Sequence, residues 1–219
     1  MIKAAIFDMD GLLVDSEPLW DAVIAEELGK VGLPFPEDIR QETLGTGLNH
    51  LVDCLLANYP TPVNLDRVRL IQAMETRMLD ALATDARPLP GAIQTVKLMH
   101  DAGLRTAIAS STVMSVIHAV VNRLNIGDQI SVIHSGCHEK ASKPDPAVFL
   151  STARLLKVKP SACLVFEDAI AGIQAAKAAG MFCVAVPDPA LFDNPRYEIA
   201  DLKLHSLTEF NEKTLRSFL

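Results

Sequence analysis

The stretch Ala4-Ala5-Ile6-Phe7-Asp8-Met9-Asp10-Gly11 decides the fold. Four apolar residues without polar alternation suit a strand buried on both faces. Two aspartates and a glycine follow at once, so the strand ends in a polar turn. Strands of this kind belong to parallel sheets covered by helices on both sides. Ligands of such sheets bind beyond the carboxyl ends of the strands. Asp8 and Asp10 therefore stand where a site would be.

Immediately downstream, Leu12–Val14 is apolar, and Ser16 reads as an N-cap with Glu17 and Pro18 in the first helical turn. Leu19, Trp20, Val23, Ile24, Leu28 and Val31 follow at helical spacing. Helical patterns continue over 37–44, 48–58 and 65–83, where Met74 and Met78 read as core. No strand pattern occurs between 16 and 86. That segment holds twelve acidic and five basic residues, so its charge reads as a solvated outer face.

From Pro88 onward apolar strands alternate with helices. The spacing predicts strands over 104–109, 130–134, 162–166 and 182–186. It predicts helices over 90–102, 113–124, 145–156, 169–179 and 207–218. The expected architecture is an α/β protein. A doubly wound parallel sheet of Rossmann type spans 1–15 and 87–219, and an α-helical cap spans 16–86.

Composition narrows the function. Of 219 residues, 49% are hydrophobic, enough for a sizeable core. The net charge of −7 and the lack of a basic stripe argue against nucleic acid and anionic membrane as partners. No apolar run approaches the roughly 20 residues of a membrane helix. Asp8 and Asp10 cut short the apolar start, which is unlike a secretory signal. Cys54, Cys137, Cys163 and Cys183 are scattered, as expected of reduced, mostly buried thiols in a cytoplasmic protein. A monomer or weak oligomer is expected.

The residues after each strand form a chemical set. Asp8 and Asp10 follow the first, Ser110, Ser111 and Thr112 the second, a loop to Lys143 the third, and Glu167 and Asp168 the fourth. Alone, each has a structural reading: a turn, a helix cap, a surface lysine, residues favourable at a helix dipole. Their joint placement at four strand ends suits phosphate and Mg²⁺. Mg²⁺ prefers carboxylate, water and phosphate oxygens, and Asp8 and Asp168 can supply the carboxylates. An aspartate can attack phosphorus, and phosphoryl transfer needs mainly positioning and charge neutralisation. Ser110 and Ser111 can hold phosphate oxygens where a strand passes into a helix. Lys143 adds a compact positive charge. Asp10 can protonate a leaving alcohol and later activate water. His134, Cys137 and His138 form a weaker transition-metal candidate.

These residues resemble the haloacid dehalogenase superfamily. Asp8-Met9-Asp10-Gly11 is similar to its first motif, nucleophile then acid/base. Ile108-Ala109-Ser110 resembles the second, Ser142-Lys143-Pro144 the third, and Phe166-Glu167-Asp168 with Gly172 and Gly180 the fourth. The resemblance implies a Mg²⁺-dependent phosphatase acting on a small phosphate monoester through a phospho-aspartate on Asp8. Asp10 would be the acid/base, and because dehalogenases of the superfamily lack it, it points to phosphate chemistry. The metal set would be Asp8, Asp10 (through its backbone carbonyl) and Asp168, with Glu167 behind them. Ser110, Ser111 and Lys143 would hold the phosphate, and the helical insertion would be the cap. Cap residues expected near the substrate are Glu17, Trp20, Asn49 and His50, although packing of the insertion is the better reading of Trp20. Asp15-Ser16-Glu17-Pro18-Leu19-Trp20 and the tail Ala200-Asp201-Leu202-Lys203-Leu204 are similar to bacterial sugar-phosphate and hexitol-phosphate phosphatases. Relatives often carry an arginine in the loop 45–50, and this chain has none there. The alternatives are a sugar phosphomutase of the same family and a non-catalytic phosphate-sensing module.

Overall fold

The computed structural model describes residues 1–60 and 65–219. Strand β1 (Ala4–Phe7) leads into four consecutive helices: α1 (Glu17–Lys30), α2 (Glu37–Thr43), α3 (Leu48–Asn58) and α4 (Arg67–Asp85). Alternation then begins with α5 (Ala92–Asp101), β2 (Arg105–Ser110), α6 (Met114–Leu124), β3 (Val132–Ser135) and α7 (Ala147–Leu156). It continues with β4 (Cys163–Glu167), α8 (Ile170–Ala178), β5 (Phe182–Ala185), β6 (Leu202–Lys203) and α9 (Glu212–Arg216). The strands form one parallel sheet in the order β3-β2-β1-β4-β5-β6. This is the expected doubly wound α/β fold.

Side-chain alternation along β1 divides the core. Ala5 and Phe7 face one hydrophobic cluster, shared with the helices 17–85 and with α5 and α6. Ala4 and Ile6 face the other, built with α7 and α8. Continuous apolarity in β1 is thus the consequence of burial on both faces. Phe7 stacks on Phe166 at 4.7 Å, and Phe166 meets Phe210 edge-on at 4.9 Å. Met74 and Met78 are fully buried.

The register sets the site. Phe7 lies opposite Ile108 on one side and Phe166 on the other. The next residues along, Asp8 and Glu167, therefore emerge side by side. The strand order reverses between β1 and β4, which makes this edge the switch point where such sheets bind ligands.

The helices between β1 and α5 join the sheet through two adjacent backbone segments. Asp15 N–H donates to Arg87 O at 2.9 Å, Leu89 N–H donates to Leu13 O at 3.1 Å, and Val14 and Pro88 form an antiparallel bridge. Among these helices, α4 packs on α1 and reaches α6 of the core, and α2 packs on α3.

Three local expectations change. Ser16 makes no side-chain cap, because its hydroxyl is used elsewhere. The expected helix 207–218 is a 3-10 turn at Leu207–Glu209 followed by the short α9. Asn211 restarts the helix by accepting from Lys213 and Thr214 N–H, a cap signal inside the apolar pattern. Strand β6 has two residues, too few for any periodicity. No helix among the described residues is long and apolar enough to cross a membrane.

Candidate active site

Asp8, Glu167 and Asp168 each offer a carboxylate oxygen, and these atoms lie within 4.8 Å of one another. All three side chains are buried. Lys143 is buried with them. Its Nζ donates to Asp8 Oδ1 at 2.5 Å and Glu167 Oε1 at 2.6 Å, and sits 5.1 Å from the centre of the Phe149 ring. The other oxygen of Glu167 accepts from the N–H groups of Asp168 and Ala169, at 3.1 and 3.2 Å. Glu167 is therefore held on both sides and holds Lys143 in turn. Neither Asp8 Oδ2 nor the Asp168 carboxylate accepts a hydrogen bond from the described residues.

Two glycines make the cluster possible. A Cβ at Gly172 on α8 would stand 1.7 Å from Glu167 Oε1. A Cβ at Gly11 would stand 2.3 Å from Asp168 Oδ2, and Gly11 also has φ +72°, a conformation side chains disfavour.

Three buried carboxyl groups share one ammonium, so negative charge is in surplus. Burial raises Asp8 from its ordinary 3.8 to about 7, against the pull of Lys143 and with a push from Glu167. Asp168 is raised well above 3.8 by burial, then by Glu167 and Asp8. For Lys143 burial acts downward, but Asp8 and Glu167 outweigh it and hold the ammonium charged. An all-oxygen donor set with surplus negative charge fits a hard divalent cation such as Mg²⁺. Asp8 and Asp168 have the oxygens to spare for it. His134 instead pairs with Glu139 at 2.7 Å, and Cys137 Sγ donates to Ser111 O at 3.3 Å. His134, Cys137 and His138 form no metal group among the described residues.

Asp10 lies apart from this carboxylate group and is held by donors from two elements. Ser16 Oγ (2.7 Å) and Trp20 Nε1 (3.0 Å) donate to its Oδ1, and Thr112 Oγ1 (2.8 Å) donates to Oδ2. Ser110 Oγ is 3.4 Å from Oδ2. Trp20 thus packs the helices and orients Asp10 with one side chain. Ser110 Oγ accepts from Thr112 N–H at 3.1 Å, and Ser111 Oγ donates to Gly45 O at 2.9 Å, tying the core to the loop before α3.

A cleft of about 800 Å³, part of it open to solvent, runs from Asp8 and Asp10 along Ser110, Ser111 and Thr112 to α1, α2 and the start of α3. Glu17, Trp20 and Asn49 line it. His50 does not, and its Nε2 lies 3.6 Å from Cys54 Sγ. Burial, with Asp10 and Asp21 nearby, raises Glu17 from 4.5 to about 8. The wall also contains Asp21, Arg40 and Glu75, which the sequence did not single out. Arg40 is the one lysine or arginine between 31 and 66, and that isolation was the available signal.

A family model described as haloacid dehalogenase-like hydrolase matches residues 2–180. The chain belongs to this family. The hydrolase is 36% identical over 216 residues to hexitol phosphatase B of Escherichia coli K12, covering 98% of this chain and 96% of that one. CbbY from Rhodobacter sphaeroides, solved with phosphate, is 26% identical with a TM-score of 0.84 over 95% of this hydrolase and 96% of that chain. A β-phosphoglucomutase from Clostridium difficile, 24% identical, shares the fold with a TM-score of 0.87, covering 100% and 97% of the two chains.

Proposed function

We propose that this hydrolase is a Mg²⁺-dependent phosphatase of small sugar or sugar-alcohol phosphates, working through a phospho-aspartate on Asp8. One observation carries the reading: Asp8 lines the cleft with one oxygen on Lys143 and the other without a donor among the described residues, beside the buried Asp168. The likeness to hexitol phosphatase B supports the substrate class.

In the first half-reaction an Asp8 oxygen forms a bond to phosphorus as the ester P–O bond breaks. Asp10 gives the departing alkoxide its proton. In the second, Asp10 takes a proton from water, the water oxygen bonds to phosphorus, and Asp8 leaves as carboxylate with release of phosphate. Lys143 favours the charged form of Asp8 against its burial and holds it in place, and Ser110 and Ser111 hold the transferring group. Asp8, Asp168 and the backbone carbonyl of Asp10 would hold Mg²⁺, which would supply charge neutralisation between anionic nucleophile and anionic substrate. Residues 16–86 act as the cap: they shut bulk water out and present the substrate-facing wall.

Phosphate release from hexose, hexitol, pentose and glycerol phosphates in the presence of Mg²⁺ tests the reading. Asp8→Asn abolishes turnover with the fold intact, checked by circular dichroism. Substantial residual turnover in that variant rules out the covalent route. Isomerised sugar phosphate without free phosphate points to a phosphomutase instead, and inertness across the panel to a phosphate-sensing module.

A further inference from the structure

Arg40 and Asp21 line the cleft from two different helices, α2 and α1. Arg40 Nε donates to Asp21 Oδ1 at 2.8 Å, and Nη2 lies 2.7 Å from Asp21 Oδ2. The pair is bidentate, the geometry that orients a guanidinium most firmly. Its remaining nitrogen, Nη1, is 3.3 Å from Glu37. Each nitrogen of the guanidinium thus faces a carboxylate, while the two side chains stay 29% and 34% exposed. They are available to a ligand, but not as a free cation.

Charge around them points the same way. Among the described residues, Asp8, Asp10, Glu17, Asp21 and Glu75 line the cleft, against Arg40 as the one lysine or arginine. Lys143 serves the reacting end, where Asp8 and Glu167 already occupy it. A second anionic group at the far end of a substrate would meet acids and a neutralised arginine. A neutral hydroxyl-bearing chain would meet an acceptor in Asp21, donors in Arg40, and Trp20 and Phe35 for its C–H faces.

We infer that the Asp21–Arg40 pair is the specificity element of the cleft: it receives the hydroxyls of a neutral polyol or sugar chain and rejects substrates with a second anionic group there. The inference rests on the phosphatase reading above and deepens it. Asp21 acts as acceptor for the chain and as the group that keeps Arg40 from serving as an anion site. Neutralising Asp21 converts the same wall into such a site.

The test compares kcat/KM for glucose 6-phosphate with that for 6-phosphogluconate, which carries a carboxylate at the far carbon, and for glucose 1,6-bisphosphate. Wild type favours the neutral-ended substrate by about tenfold or more. Asp21→Asn narrows that preference by about tenfold. The double variant Asp21→Asn/Arg40→Gln loses the narrowing, because the cation responsible is gone. Equal use of all three compounds by wild type overturns the inference, and so does an Asp21→Asn variant that turns over substrate with the wild-type preference. Both of those outcomes leave the phosphatase reading standing. Should Asp21→Asn not fold, Arg40→Gln alone decides: the inference requires it to keep or sharpen the wild-type preference, and a weakened preference overturns it. If wild type releases phosphate from none of the three and from no other monoester, the phosphatase reading falls and this inference falls with it.

Discussion

Beside Asp8 at the strand ends, the side chains of Lys143 and Glu167 are 2% and 1% exposed; on the cleft wall formed by α1 and α2, those of Arg40 and Asp21 are 29% and 34% exposed. Both are ion pairs at hydrogen-bonding distance, yet physics assigns them opposite weights. The buried pair sits in low dielectric with two more acids and cannot be altered singly without stranding a charge. The exposed pair is screened by water, and its loss changes what the wall attracts more than whether the chain folds. The proposed chemistry belongs to the first environment, and substitution is better tolerated in the second.

The largest expected effect comes from stranding the acids. Lys143→Met should destabilise the protein by about 3–5 kcal/mol, because Asp8 and Glu167 lose their common counter-ion. Urea unfolding at neutral pH measures this, and a loss within ~1 kcal/mol would erase the contrast between the two pairs.

Proton linkage gives an intermediate effect. Asp8 titrates at about 7 in the folded chain against an ordinary 3.8, and Glu17 at about 8 against 4.5. Between these values the native chain keeps protons that the unfolded chain has released. The metal-free protein is therefore most stable at acid pH with respect to these groups, and loses stability as pH climbs from about 4 to 8. Mg²⁺ binding requires deprotonated carboxylates. Thermal unfolding should show a Mg²⁺-dependent rise in Tm that is larger at pH 8 than at pH 5.5. A rise independent of pH would contradict protonation of the buried acids.

The smallest effect belongs to the wall formed by α1 and α2. Asp21→Asn should change stability by about 0–1 kcal/mol, the range for partly exposed ion pairs. A loss comparable to that of Lys143→Met would mean that the pair holds the helices together instead of reading the substrate.

The same contrast explains what the sequence made legible. A strand buried on both faces has to be written as an unbroken apolar run, so 4–7 and its companions were visible, and the residues after each run followed. Strand boundaries shifted by a residue or two because the sheet hydrogen bonds, not the apolar pattern, decide where pairing stops. The partners of Asp10 were not legible: Ser16 looked like a helix cap, and the tie to its carboxylate needs the turn at 11–15 to bring α1 back over it. The Asp21–Arg40 pair was hidden for a related reason. Acidic and basic residues on helix surfaces are common, and only the packing of α1 and α2 selects which two meet.

The crossing at Leu13 and Asp15 against Arg87 and Leu89 has a consequence for descent. The chain leaves and returns to the sheet through neighbouring, hydrogen-bonded backbone, so the helices between are topologically an insertion between β1 and α5. A lineage can lengthen, trim or replace such an insertion while its stem stays closed. On the function proposed above, substrate preference could then change without rebuilding the carboxylate cluster around Asp8.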